Sequence, residues 1–448
     1  MGVMDADLEE QIGLWRGYVA RRGAIAAADV DEMEDHLRSQ VGDLESAGLS
    51  ADEAFLVAVK RMGSVDALSR EFAREHSDRL WKQLVLVADE AGDGDDRIRE
   101  LLVASGFAVA AGAALKAGIE LLGEDRLPVN LSLLVLPFLA GFFAWKRRLA
   151  PPALGVLAAA FAVLAVLVNV YPFARGGDTE ILVAVHAPIV AWFAVGLAYA
   201  GGDWRSDRRR MDFVRFTGEW VVYLTLLALG GGVLTGLTVG VFGAVGVDVE
   251  WFVQGWVLPF GVAGAMVVAA WLVEAKQNVV ENIAPVLTRV FTPLTVLMLV
   301  ALLVAFATTR SVIDVDRDLL ILMDLVLVLV LGLLLYALSA RPPHGAPDLF
   351  DRLQLALVVA ALAVDVVTLS AMAGRIAEFG VSANKAVALG LNLVLLVNLA
   401  WSARLGLAFV RGRVGFAALE RWQTGYVPVY PAFAAAVVVA IPPLFGFV

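Results

Sequence analysis

The stretch LALVVAALAVDVVTLSAMAG, residues 355–374, holds a single ionisable side chain, Asp365, among positions that are otherwise apolar, small or hydroxyl-bearing. An α-helix rises 1.5 Å per residue, so about 20 residues cross a hydrocarbon layer of roughly 30 Å. Within that layer each backbone polar group must be satisfied inside its own segment, which makes a helix the conformation for an isolated apolar run. Reading outward, runs of the same kind recur near 99–122, 128–145, 151–171, 179–200, 216–245, 251–273, 289–307, 318–338, 353–373, 386–409 and 429–447. They predict an all-α, polytopic transmembrane helical bundle of about 11 spans, the fifth long enough to be tilted or broken.

Composition agrees. The 448 residues are 60% hydrophobic and 18% charged, with a mean hydropathy of +0.77, against roughly 45–50% and about 25% in soluble proteins. This excludes a purely soluble enzyme, a disordered chain and a nucleic-acid partner read through a basic face. Residues 1–100 carry 23 acids and 12 bases, and the rest carry 22 and 23. An acidic head, expected over 1–90, therefore precedes an acidic linker at 91–98 and a nearly neutral membrane domain at 99–448. With no cysteine, disulfides and thiolate chemistry are ruled out. The opening MGVMDADLEEQIGLWRGYVARRG lacks the basic-then-apolar order of a secretory signal, and Ala6 breaks the myristoylation pattern. The first span is expected to direct insertion.

Positive charge orients the bundle. If the head is cytoplasmic, the inner connections contain 15 Lys and Arg, from Lys146–Arg148 to Arg411, Arg413 and Arg421. The outer ones contain six: Arg126, Arg175, Arg310, Arg317, Arg375 and Lys385. The alternation predicts a multi-pass protein of the inner (cytoplasmic) membrane, with its C-terminus outside and the lipid bilayer as its main partner.

In the head, Leu8, Ile12, Trp15 and Val19 form one helical stripe, and Val30, Met33, Leu37, Val41 and Leu44 a second. Ser50-Ala-Asp-Glu53 reads as a capping box opening a third helix with Phe55, Ala58, Val59 and Met62. Ser64 opens a fourth, and an amphipathic piece at 78–90 carries Trp81, Leu84 and Val85. The segment between Asp31 and Phe72, EMEDHLRSQVGDLESAGLSADEAFLVAVKRMGSVDALSREF, resembles the bacterial permease prefix domain. The likeness lies in its ED-L run, AGLS-x-x-EA turn-and-cap and A-x-x-RMG helix ending. That module precedes several kinds of multi-pass membrane protein. The resemblance implies a cytoplasmic regulatory or protein-contact role for residues 1–90, with no catalytic residues. In the C-terminal half, ENIAPVLTRVFTPL (281–294), LFDRLQLALVVAALAVDVV (349–367), RIAEFGVSANKAVALGLNLVLLVNLAW (375–401) and ALERWQTGYVPVY (418–430) are similar to an uncharacterised bacterial multi-pass membrane family. This likeness implies architecture and no chemistry.

Ionisable groups at mid-bilayer cost at least about 2.5–3.5 kcal/mol each, so they face protein or water. Asp365 reads either as a proton or cation site or as a carboxylate bonded to a neighbouring helix. As a transport site it should face the bundle interior, near Asn398 or the Glu274–Asn282 segment, with access to water. Asp324 lies within reach of the outer interface. Asn398 and Ser402 are i and i+4 and share a face from which Asn392 is turned away; interhelical hydrogen bonding is their commoner use. Glu274, Asn278, Glu281 and Asn282 fall on one helical side, with Arg289, Pro285 and Pro293 beyond. This proline-broken run can line a vestibule or form an ordinary interfacial loop. His186, before Pro188, reads as a hydrogen-bonded kink residue. With His36, His76 and His344 elsewhere, no metal-ligand spacing exists. Gly232, Gly236 and Gly240 repeat every four residues and predict a close helix contact.

No Walker loop, nucleophile elbow, H-E-x-x-H or dinucleotide fingerprint is present, so neither enzymatic activity nor a cofactor is expected. Two function classes remain: a permease-like protein moving a small solute or ion past Asp365, and a signalling or assembly protein whose head binds a cytoplasmic partner. Oligomeric state is not readable from the chain.

Overall fold

The computed structural model describes residues 8–9, 11–16, 27–46, 49–62, 93–275, 283–309, 317–341 and 345–448. The chain divides into two compact units, Met1–Arg99 and Glu100–Val448. No strand occurs among the described residues.

In the first unit a helical turn at 11–16 precedes α1 (Ala27–Ser46) and α2 (Ala51–Met62). Ile12 and Trp15 pack with Leu37, Val41 and Leu44 of α1 and Phe55, Ala58 and Val59 of α2. These are positions at helical spacing on the stripes read from the sequence. The glutamate arm of the cap forms: the Ser50 backbone N–H and hydroxyl donate to Glu53 at 3.1 and 2.9 Å. Those bonds, the backbone one first, hold the Glu53 carboxyl below its ordinary value of 4.5. Arg38 donates to Glu9 at 2.5 and 2.8 Å and to Glu34 at 3.0 Å, and Arg16 reaches Glu34 at 2.6 Å. The helix expected from Ser64 and the piece around Trp81, Leu84 and Val85 lie outside the described residues. Of the linker expected at 91–98, residues 93–98 are helical instead and open the next element.

Helix α3 (Asp93–Lys146) is broken at Gly123, whose φ of 69° and ψ of 169° are open to glycine, and so supplies two spans, Ile98–Gly123 and Asp125–Lys146. There follow α4 (Pro151–Val170), α5 (Asp178–Tyr199), α6 (Asp207–Ala244) and α7 (Glu250–Ala275), the last with a π-helical turn at Val253–Val257. Next come α8 (Ile283–Thr309), α9 (Arg317–Ala340), α10 (Leu349–Phe379) and α11 (Ala383–Val410). Helices α12 (Phe416–Tyr426) and α13 (Val429–Leu444) together make the last span, which begins earlier than the apolar run alone suggests. Among the described residues eleven helices are long and apolar enough to cross a membrane.

A small apolar cluster of Ala111, Leu115, Val135 and Ala263 joins α3 to α7, and two larger apolar cores organise this unit. One joins both halves of α3 to α4, α5, the start of α6, the end of α7 and α13, around Phe142, Phe143, Phe213 and Phe216. The other joins α8, α9, α10 and α11 around Leu299, Leu327, Leu357 and Leu399. The even-numbered connections gather at one end. Arg147 reaches Glu274, Arg215 Nε donates to the Ser339 carbonyl at 3.1 Å, and Arg341 lies over the rings of Phe409 and Phe416. This is the basic end of the bundle.

Large apolar side chains cover the outside, among them Leu229, Val233 and Leu237 on α6, each more than 60% exposed. No described residue makes the packing contact expected of Gly232, Gly236 and Gly240: a Cβ at any of them would meet nothing within 4 Å. The helix packs at Met211, Phe213, Phe216, Glu219 and Trp220 and through Tyr223, Leu224 and Leu227, and beyond these most of its side chains are exposed. The stripe is therefore part of the outward-facing surface.

Candidate functional site

Helix α10 begins with a reciprocal cap: Asp351 N–H donates to Asp348 at 2.9 Å, and Asp348 N–H to Asp351 at 2.8 Å. From that fixed start the helix carries Asp365 into the second core, where the residue is fully buried. Neither carboxyl oxygen has a hydrogen-bond partner among the described residues. One turn on, the buried Thr368 hydroxyl donates to the Val364 carbonyl at 3.0 Å and lies 3.8 Å from the sulfur of Met323 on α9. Beside Met323 stands Asp324, close enough to Asp365 for the two carboxyls to interact electrostatically. Asp324 accepts a 2.8 Å bond from the Nδ2 of Asn392 on α11, whose amide also donates to the Ala388 carbonyl at 2.8 Å. The Asn392 oxygen is buried without a partner. Three adjacent helices thus bring two carboxyls and an amide together with no cation paired to them among the described residues.

Asp365 faces the interior but does not meet Asn398, as a transport-site reading of the sequence expected. Asn398 and Gln423 of α12 exchange amide bonds of 3.0 Å in each direction, and Gln423 also donates to the Ser402 hydroxyl at 2.6 Å. Ser402 in turn donates to the Asn398 carbonyl at 2.7 Å. The reason is rotation: six residues along a helix of 3.6 per turn turn Asn398 well away from the face that Asn392 presents to Asp324. The shared face of Asn398 and Ser402 is as expected. Their partner is not legible, because Gln423 precedes the apolar run and reads as interfacial.

Of the grouping expected around Glu274, that residue alone lies among the described residues. Its side chain is 2% exposed, and Arg147 grips both oxygens at 2.9 Å while Lys146 approaches to 3.4 Å. Lys146 also contacts Glu100. This charge cluster ties α3 to α7. Asn278, Glu281 and Asn282 lie outside the described residues. Arg289 is exposed and lines a cavity of about 240 Å³ at the basic end, together with Ser402 and Gln423. Asp365 is not among the residues lining that cavity.

Other polar groups are locally bonded. His186 Nδ1 sits 2.8 Å from the Leu182 carbonyl, the kink arrangement its sequence suggests. Lys116 pairs with Glu120 at 2.7 Å, as i and i+4 spacing predicts. It also donates to the Gly255 carbonyl at 3.0 Å in the π-helical turn of α7, a contact no local pattern announces. Asn130 and Asn169 form a reciprocal amide pair at 3.0 and 2.8 Å, likewise unforeseen.

Eleven apolar helices with a lipid-facing surface define an integral, multi-pass membrane protein. No protein-family model, curated protein or solved structure matches the chain.

Proposed function

We propose that the chain is a permease-like protein that moves a small solute or ion through its helical bundle, with Asp365, Asp324 and Asn392 as its proton-handling site. The observation that carries this reading is Asp365 itself, fully buried with neither oxygen partnered among the described residues and a second carboxyl within electrostatic reach. Two interacting carboxyls inside a membrane, with no cation paired to them among the described residues, cannot both stay ionised at tolerable cost, so the site holds at least one proton. Gaining or losing that proton is the elementary step by which a buried acid couples to a moving solute. The buried position corresponds to an occluded state of the pathway. In this reading the chain sits in a bacterial inner membrane with the basic end and the head in the cytoplasm, as the charge distribution of its connections supports. It is not an enzyme, and the resemblance of residues 31–72 to the permease prefix domain supports the same assignment.

The test uses the full chain in vesicles containing a trapped pH dye, with a potassium diffusion potential imposed. The wild-type chain should pass protons faster than empty vesicles, and Asp365→Asn should abolish that flux while folding normally. Equal flux in the two proteins, or none above empty vesicles, rejects the reading.

A second reading is a signalling or assembly protein, favoured by the head's own apolar core around Trp15 and Phe55. Its test is a protein partner that co-purifies with the full chain and is lost when residues 1–90 are deleted.

A further inference from the structure

The cavity at the basic end lies apart from Asp365, and its chemistry is independent of the proton-handling proposal. It opens between the ends of α8, α9, α10, α11 and α12 and encloses about 240 Å³. Four charged side chains line it: Arg289, Arg341, Asp348 and Asp351. Two of them neutralise each other. Arg341 grips Asp351 through two bonds of 2.8 and 2.9 Å and lies over the rings of Phe409 and Phe416, at 4.8 and 4.7 Å from their centroids. The other two are left over. Arg289 has no hydrogen-bond or ion-pair partner among the described residues, and Asp348 accepts a backbone N–H but pairs with no described cation. Both are exposed. The mouth therefore presents one unpaired positive and one unpaired negative group, with no net charge across the four. The deeper walls are apolar, at Leu334, Leu338, Leu355 and Leu419. Two polar atoms of the lining residues, Gln354 Oε1 and Trp422 Nε1, are also buried without partners.

A purely anionic ligand would meet Asp348, and a purely cationic one Arg289. A zwitterion satisfies both, its acid on the guanidinium and its ammonium on the carboxylate. The leucine-rich walls then call for an apolar group attached to it, since apolar walls with a few fixed polar groups are the usual form of a small-molecule site. We infer that this cavity binds a zwitterion bearing an apolar chain, its acidic group held by Arg289 and its ammonium by Asp348. The same chemistry has two sources, a phospholipid with a primary ammonium headgroup and a free apolar α-amino acid.

The full chain, purified and delipidated in uncharged detergent, is offered phosphatidylethanolamine, phosphatidylglycerol and L-leucine in separate experiments. Bound lipid is counted by native mass spectrometry and leucine by equilibrium dialysis. Binding of phosphatidylethanolamine in preference to phosphatidylglycerol identifies the membrane as the source; binding of leucine identifies a free solute. In either case Arg289→Gln and Asp348→Asn should each weaken binding by about tenfold, as expected for losing one charge-assisted contact. Asparagine caps a helix as well as aspartate does, so Asp348→Asn keeps the start of α10. Leu338→Trp, which fills the cavity without touching either charge, should block binding in a protein of unchanged melting temperature. Phosphatidylglycerol bound as tightly as phosphatidylethanolamine, an inert Asp348→Asn, or no binding of any probe overturns the inference.

Discussion

Asn392 on α11 donates its amide to Asp324 on α9 across 2.8 Å, joining spans that are 68 residues apart in sequence. Among the described residues it is the one hydrogen bond to the Asp324 carboxyl, which lies half-buried beside the core residue Met323. Replacing Asn392 by Leu should leave that carboxyl without its donor and lower stability by about 1–3 kcal/mol. Thermal unfolding of the full chain in detergent, followed by intrinsic fluorescence, measures the loss. An unchanged melting temperature would show that the bond contributes nothing.

The Asn398–Gln423 pair calls for a double-mutant cycle. Gln423→Leu alone orphans the Asn398 amide and should cost about 1–3 kcal/mol, whereas Asn398→Leu combined with Gln423→Leu removes both halves and should recover much of that loss. Additive effects of the two substitutions on unfolding would contradict the reciprocal bonding.

Asp365 is expected to behave differently from both pairs. Because its oxygens have no hydrogen-bond partner among the described residues, Asp365→Leu removes a desolvated polar group and leaves no partner orphaned. The melting temperature of Asp365→Leu should equal or exceed that of the wild type, and Asp365→Asn should fold normally. A hydrophobic carbodiimide, which reacts with protonated carboxyls in apolar surroundings, should label Asp365 in the wild type. Peptide mass spectrometry would locate the adduct, and a fall in melting temperature on Asp365→Leu would point instead to a structural bond.

The head should loosen in acid. Hydrogen bonding to Arg38 holds Glu9 below its ordinary value of 4.5. Burial works against the same effect at Glu34, but the bonds from Arg38 and Arg16 prevail and lower it too. A carboxyl whose folded value lies below the unfolded one contributes its full stabilisation above about pH 4.5, and that contribution is lost as the pH falls through the folded value. Amide hydrogen exchange of α1 and α2 in the full chain should therefore accelerate below about pH 4.5, and Arg38→Met should remove most of the pH dependence. Exchange independent of pH between 3 and 6 (after correction for the intrinsic rate, ~10-fold per pH unit) would refute this linkage.

The proposed orientation places Asp207, at the start of α6, in the cytoplasm. The chain has no cysteine, so Asp207→Cys is a unique label site. A membrane-impermeant thiol reagent should leave it unmodified in intact cells and react after permeabilisation. Labelling from outside would reverse the topology.

Much of the architecture was legible because span formation is a local property. A run such as 355–374 satisfies its backbone within itself and is apolar enough to leave water whatever its neighbours do. Eleven such runs appear in both the sequence and the structure. The stripes of Ile12 and Trp15, and of Phe55 and Val59, were readable for a similar reason: helical periodicity places them on one side before any partner is known. The cost of burying Asp365 also marked it from sequence, since an ionisable group in an apolar run needs protein or water around it.

What only the tertiary structure decided is which polar groups meet. Helix rotation and depth within the bundle choose between partners, and neither is encoded locally. They pair Asn398 with Gln423 rather than Asp365, bring Asn392 to Asp324, and give Glu274 to Arg147, 127 residues earlier. The glycine stripe of α6 makes the same point in reverse. Its four-residue repeat permits a close contact, but contact needs a second surface, and no described residue comes within 4 Å of it. Composition and periodicity by themselves determined that this is an all-helical, eleven-span membrane protein with a separate helical head. The assembly of Asp324, Asp365 and Asn392, and the opposed charges of Arg289 and Asp348 at one cavity, arise only when the helices pack, because a site is set by distances between segments and not by the segments themselves.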